Sequence, residues 1–199
     1  MRRVGVVLVA ALALTGCGVR TETVPGPAAP LTASPSTTAP AGGTPTGPTP
    51  AGFRTVSMTG SGLTITFLVP DDWTVARSRT ADLARTDAGV GDAVLLRVDL
   101  TARSTGTARS WVEGNEADNM HLRPAYDRRD IVDVRGVGDD AVDWTFSYDQ
   151  AGTPVQVIDR KILSGPGEVA VYLRAPVGDY ARYLPVWRRA TTALLIRTG

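Results

Sequence analysis

One cysteine, one histidine and one lysine are all that 199 residues contain of those three types. A single cysteine excludes an internal disulfide. Cys17 and His121 fall short of the several Cys and His ligands that a zinc site takes. Also missing are a Gly-x-Ser-x-Gly elbow, a Ser-x-x-Lys pair, an Asp-x-Asp-x-Asp-Gly loop and a phosphate-loop Lys-Ser/Thr. Their absence removes the usual sequence signs of acyl transfer, calcium binding and nucleotide binding, so no catalytic set, metal or cofactor is expected. Charge of one sign is scarce as well: the net charge is +1, and Phe53–Gly199 holds 18 basic and 19 acidic residues. A surface so balanced has no field to hold nucleic acid.

Long apolar runs are lacking too. The longest, Val4 to Leu14, has 11 residues, against about 20 for a membrane span. It follows Met1-Arg2-Arg3 and precedes small residues, the order of a secretory signal. Its end, Leu14-Thr15-Gly16-Cys17, resembles the bacterial lipobox. That resemblance implies a signal peptide over residues 1–16, recognised through Leu14, Thr15 and Gly16. Cys17 would then carry diacylglycerol and anchor the chain on the extracytoplasmic side of the cell membrane. Two acyl chains hold a protein stably where one is marginal, since each buried CH₂ contributes about 0.8 kcal/mol.

Residues 18–52 are rich in Pro, Thr, Ala, Gly and Ser and hold no aromatic residue. Such a stretch buries too little apolar surface to offset chain entropy. With Cys17 it reads as a disordered tether, reaching about 110 Å at full extension. Thr- and Pro-rich stalks are also O-glycosylation substrates.

From Phe53 the pattern changes to that of a folded domain, 53–199. Leu63, Ile65, Phe67 and Val69 alternate with polar residues, as do Val94, Leu96, Val98 and Leu100, and Val142, Trp144, Phe146 and Tyr148. These are period-two strands with one buried face. A shorter strand is expected near Leu83–Asp87, and further strands in "YDRRDIVDV", in "TPVQVIDRKIL" after a Gln150-Ala151-Gly152 turn, and in "GEVAVYLRAP". "STGTARSWVEGNEADNMHLRP" reads as a helix ending at Pro124, capped by Thr107 or Ser110, with Ser110-x-x-Glu113 as a capping box. In the final segment Tyr180, Tyr183, Leu184, Trp187, Leu194 and Leu195 share one helical face. Pro185 either opens that helix or kinks it. The sum is an α+β domain, a mainly antiparallel sheet flanked by helices.

"FLVPDDW", "AVDWTFSYD", "VIDRKIL", "VAVYLRAP" and "YLPVWRRATTAL" occur in an order that resembles PsbP-like domains. The same order is similar to that of actinobacterial surface lipoproteins of the LpqN type and of extracellular modules of some actinobacterial kinases. The resemblance spans about Gly60 to Ile196. It implies an α/β/α sandwich and a non-catalytic binding or accessory role, and it carries over no catalytic residue. Fold alone does not transfer function.

The expected partners are the membrane, through Cys17, and a cell-envelope protein or small apolar ligand. Trp73, Trp111, Trp144 and Trp187 are the candidate contacts, against the plainer reading of all four as core anchors. Two alternatives stand beside the binding module. One is an envelope hydrolase built around His121, with Asp118 to orient the ring. The other is an extracellular sensor subunit of a membrane kinase or transporter. Adjacent acids at Asp71-Asp72 and Asp139-Asp140 read as turn formers. Replacing Cys17 with Ala is expected to block lipid attachment, moving the protein from membrane to soluble fraction in cell fractionation. Unchanged processing and membrane retention would refute the anchor.

Overall fold

The computed structural model describes residues 52–199. The leader, the Leu14-Thr15-Gly16-Cys17 motif and all of the tether but Gly52 lie outside them. Ten strands and two helices follow in the order β1 (Phe53–Gly60), β2 (Leu63–Pro70), β3 (Thr74–Arg79), β4 (Leu83–Val90), β5 (Val94–Ala102), α1 (Ala108–Asp118), β6 (Asp127–Val134), β7 (Asp140–Gln150), β8 (Thr153–Ser164), β9 (Gly167–Pro176), α2 (Tyr180–Thr192) and β10 (Leu195–Thr198).

The strands make two antiparallel sheets rather than the single one expected. One has seven strands in the order β3-β4-β5-β9-β8-β7-β6, the other three in the order β1-β2-β10. Short hairpins account for most of the connections. Between β7 and β8 the turn is Ala151-Gly152, with φ of 52° and 85°. That doubly left-handed pair matches the twist of the flanking strands, and the Gly152 amide donates to Asp149 Oδ1.

Period-two alternation gives the large sheet two unlike faces. On the first, Val94, Leu96, Val98 and Leu100 of β5 join Val169, Val171 and Leu173 of β9. They bury against Val56, Met58, Ile65 and Phe67 of the small sheet and against Trp187 and Ala190 of α2. Trp187 Nε1 donates to the Val171 carbonyl at 2.9 Å, which fixes α2 on β9. On the second face α1 and a single 3₁₀ turn (Met120–Leu122) cover the β7–β8 side. Ala108, Val112 and Met120 pack there on Val142, Trp144, Phe146, Val155 and Val157. The layers are thus a helix, the large sheet, and a mixed layer of α2 with the small sheet. This is the α+β sandwich expected, with one outer layer partly built of strands.

Three local readings change. The capping box of α1 is formed by Thr107 and Ser110, which exchange side-chain and backbone hydrogen bonds. Ser110 therefore occupies the third helical position, not the cap. That helix ends at Asp118, where Asn119 leaves helical backbone space, and the 3₁₀ turn follows before Pro124. Finally, α2 is one helix with Pro185 inside it, and it stops at Thr192. Leu195 belongs instead to β10, which pairs with β2.

Candidate functional site

The seven-stranded sheet is wider than α1, so part of its second face is left open. Register places the polar phase of four strands there in rows. One row runs Arg85, Asp99, Ala170, Lys161 across β4, β5, β9 and β8. The next runs Asp87, Arg97, Tyr172, Asp159. Ala170 is the small residue among long neighbours, and the floor dips above it. Trp111 of α1 stands beside the dip. The resulting cleft holds ≈ 290 Å³ and is lined by charged side chains from four strands. That volume lies at the small end of ligand pockets.

Charges in the cleft are matched with one exception. Arg85 makes two hydrogen bonds of 2.7 Å to Asp99, and Arg97 makes two to Asp87 at 2.7 and 3.0 Å. Each arginine directly faces its carboxylate across β4 and β5, the arrangement in which cross-strand pairs interact best. Lys161, the chain's one lysine, is 3% exposed. It donates to Glu168 Oε1 and lies 3.6 Å from the centre of the Trp111 ring. The lysine is thus held by a carboxylate and by the ring's π face.

Glu168 accepts three further bonds, from Thr101 Oγ1 at 3.0 Å, Ser104 N at 3.2 Å and Ser104 Oγ at 2.7 Å. Burial pushes its carboxyl up, but the bonds from Lys161 and Ser104 outweigh burial and hold it below the usual range. Glu168 and Lys161 thus form a buried ion pair in the cleft wall. Ser104 leads into α1, so the same carboxylate sets where Trp111 stands.

Asp159 is the exception. Its Oδ1 is shut off from solvent and has no hydrogen-bond donor. Burial pushes the carboxyl up to about 6; the positive charge of Lys161 pulls it down, and Asp99 and Asp143 add to the rise. Two buried donors, Trp144 Nε1 and Arg174 Nε, also lack partners, but neither lines this cleft. Buried polar groups are normally paired, and an unpaired carboxylate is the costly kind. Tyr172 lies opposite Asp159 on β9, and burial raises its hydroxyl well above the ordinary range.

Of the four tryptophans singled out from sequence, Trp73, Trp144 and Trp187 are at most 4% exposed and belong to the two cores. Trp73 meets Tyr183 edge-on at 5.9 Å, and Trp144 lies tilted against Phe146 at 4.3 Å. Trp111 is the one of the four that lines the cleft. The lining of this cleft is charged, whereas the ligand expected was an apolar one. His121 is exposed, and its Nδ1 lies 3.2 Å from the Glu116 carbonyl. No hydroxyl or carboxylate among the described residues is hydrogen-bonded to it. Asp71 and Asp72 are exposed, while Asp140 Oδ2 accepts from the Ala108 amide and caps α1 from β7. No three His, Cys, Asp or Glu among the described residues are placed to hold a metal. Sequence reading passed over Lys161, Glu168 and Asp159; the one available signal was a single lysine in an arginine-rich chain.

Two substitutions test these electrostatics. Lys161→Met leaves Glu168 buried without its cation and is expected to cost about 3–5 kcal/mol in urea unfolding. The double variant K161M/E168Q should recover more than half of that. Asp159→Asn has the opposite sign. Because the folded carboxyl sits above its unfolded value, wild-type stability falls as pH rises from about 4 to 6. The amide variant should therefore be more stable at pH 7.5, by on the order of 2 kcal/mol. The two proteins should converge below about pH 3, where both folded and unfolded carboxyls are protonated. Equal melting temperatures at pH 7.5 would mean that Asp159 carries no net penalty.

No family model and no curated protein sequence matches the chain. Solved structures do. A Pseudomonas aeruginosa protein of unknown function, PA94, described as a putative regulator, is 16% identical with a TM-score of 0.47, covering 67% of this chain and 92% of its own. LpqN, involved in cell envelope biogenesis of Mycobacterium tuberculosis, is 13% identical with a TM-score of 0.45, covering 72% and 91%. Cyanobacterial PsbP (CyanoP) from Synechocystis sp. PCC 6803 is 13% identical with a TM-score of 0.51, covering 78% and 98%. At such identities the likeness speaks to fold, and the domain has a PsbP-like fold.

Proposed function

We propose that this chain is a lipid-anchored envelope protein whose domain is a non-catalytic binding module, with the cleft over Ala170 as its binding site. The observation that carries this reading is Asp159, a half-buried carboxylate lining an open cleft whose Oδ1 is shut off from solvent without a donor. A stability-optimised core would have paired or replaced it. Sites kept at the expense of stability are characteristic of function. The surrounding ion pairs are already formed, so the cleft is preorganised and loses little entropy on binding.

The anchor rests on Leu14-Thr15-Gly16-Cys17 and the basic start before it. No helix among the described residues is long and apolar enough to cross a membrane. The catalytic reading has no support in side-chain geometry around His121, whereas the cleft offers shape and charge without an activated nucleophile.

Protein extracted from membranes in mild detergent is expected to carry a small molecule detectable by native mass spectrometry. Ala170→Phe fills the dip with a ring and should abolish that adduct while changing the melting temperature little. An adduct retained by A170F, or none in the wild type under native extraction, would overturn the cleft as the binding site.

A further inference from the structure

The balance of partners in the cleft selects the chemistry of what it binds. Three cations line it: Arg85, Arg97 and Lys161. Each already has a carboxylate, in Asp99, Asp87 and Glu168. An anionic ligand would have to break one of these pairs, two of them doubly hydrogen-bonded. Asp159 is the lining charge with no counterpart of its own. Counting Asp87, which holds Arg97 from outside the lining, the three pairs are neutral and Asp159 is the one carboxylate left over. Its Oδ1 is shut off from solvent without a donor, but the side chain as a whole is only half-buried, so a ligand meets the carboxylate from its open side.

Resting on the binding reading above, we propose that the cleft takes a small molecule bearing a primary ammonium group, seated on the Asp159 carboxylate. An ammonium supplies both the donor and the missing charge. A hydroxyl supplies only the donor, and charge-assisted hydrogen bonds are roughly twice as strong as neutral ones. Tyr172, across from Asp159 on β9, also lines the cleft, and its ring favours a cation over a neutral group. Lys161 does not repel the newcomer strongly, because Glu168 neutralises it at contact distance. The modest volume limits the ligand to one small ring or a short chain.

The test uses the full mature protein and two matched pairs of probes: ethanolamine with ethylene glycol, and D-glucosamine with D-glucose. Titration calorimetry at pH 7.5 is expected to show saturable binding of each amine and at least about tenfold weaker binding of its neutral match. Asp159→Asn, which is expected to fold more stably than the wild type, should erase that preference. Equal binding within both pairs, a preference that survives in D159N, or no saturable amine binding up to tens of millimolar would each overturn the ammonium class. A molecule that co-purifies with the wild type, is lost from A170F and has no amine would overturn it too, while leaving the binding reading intact.

Discussion

A single eleven-residue helix has to cover one whole face of a seven-stranded sheet, and it is too small to do so. At 1.5 Å per residue α1 is about 16 Å long and with side chains about 10 Å wide. Seven strands spaced about 4.8 Å apart span about 29 Å between the outer axes. The uncovered strands must therefore face water, and their second-face residues must be polar. Arg85, Asp87, Arg97 and Asp99 meet that demand by pairing across β4 and β5. The cleft lies at the border of the two regimes, where α1 stops and the charged lattice begins.

That border also explains the burial of Lys161. It stands on β8, under the edge of α1, yet opposite Ala170 on the open side. A charge there is tolerable because Glu168 gathers four donors from β5, β8 and the approach to α1. Wall and floor are thus tied through one carboxylate. Asp159, two residues earlier on the same strand, gets no such set of donors. The contrast between these two acids, one saturated and one bare, defines what the cleft is prepared to accept.

Much of the fold was legible because alternation is a strong signal when one face is dry. Strands β2, β5 and β7 could be read from "LTITFLVP", "VLLRVDLTA" and "AVDWTFSYD". Strands β1 and β3 were not, since Thr, Ser, Gly and Arg in "FRTVSMTG" and "TVARSR" blur the period. Leu194 and Leu195 fell at helical spacing after Trp187, but the chain leaves the helix first and Leu195 packs from a strand. The cleft was hidden for a different reason. Its charged residues occupy the phase of each strand that normally means solvent, and sequence does not show that a helix returns to shelter them. The tryptophans looked alike in sequence, and long-range register alone sends three inward and leaves Trp111 at the rim.

The large sheet is open at both sides, and its two border strands carry a consequence of their own. At β6 the pairing slips between Arg128 and Asp130, and "DRRDIVDV" bears a charge at five of its first seven positions. At β3 the border is short and carries Arg77 and Arg79, both exposed. A flat apolar border would offer its free amides and carbonyls to the next molecule's sheet, and bulges and charges are what discourage such templating. With such borders each molecule's sheet ends with its own last strand, even where neighbours are crowded.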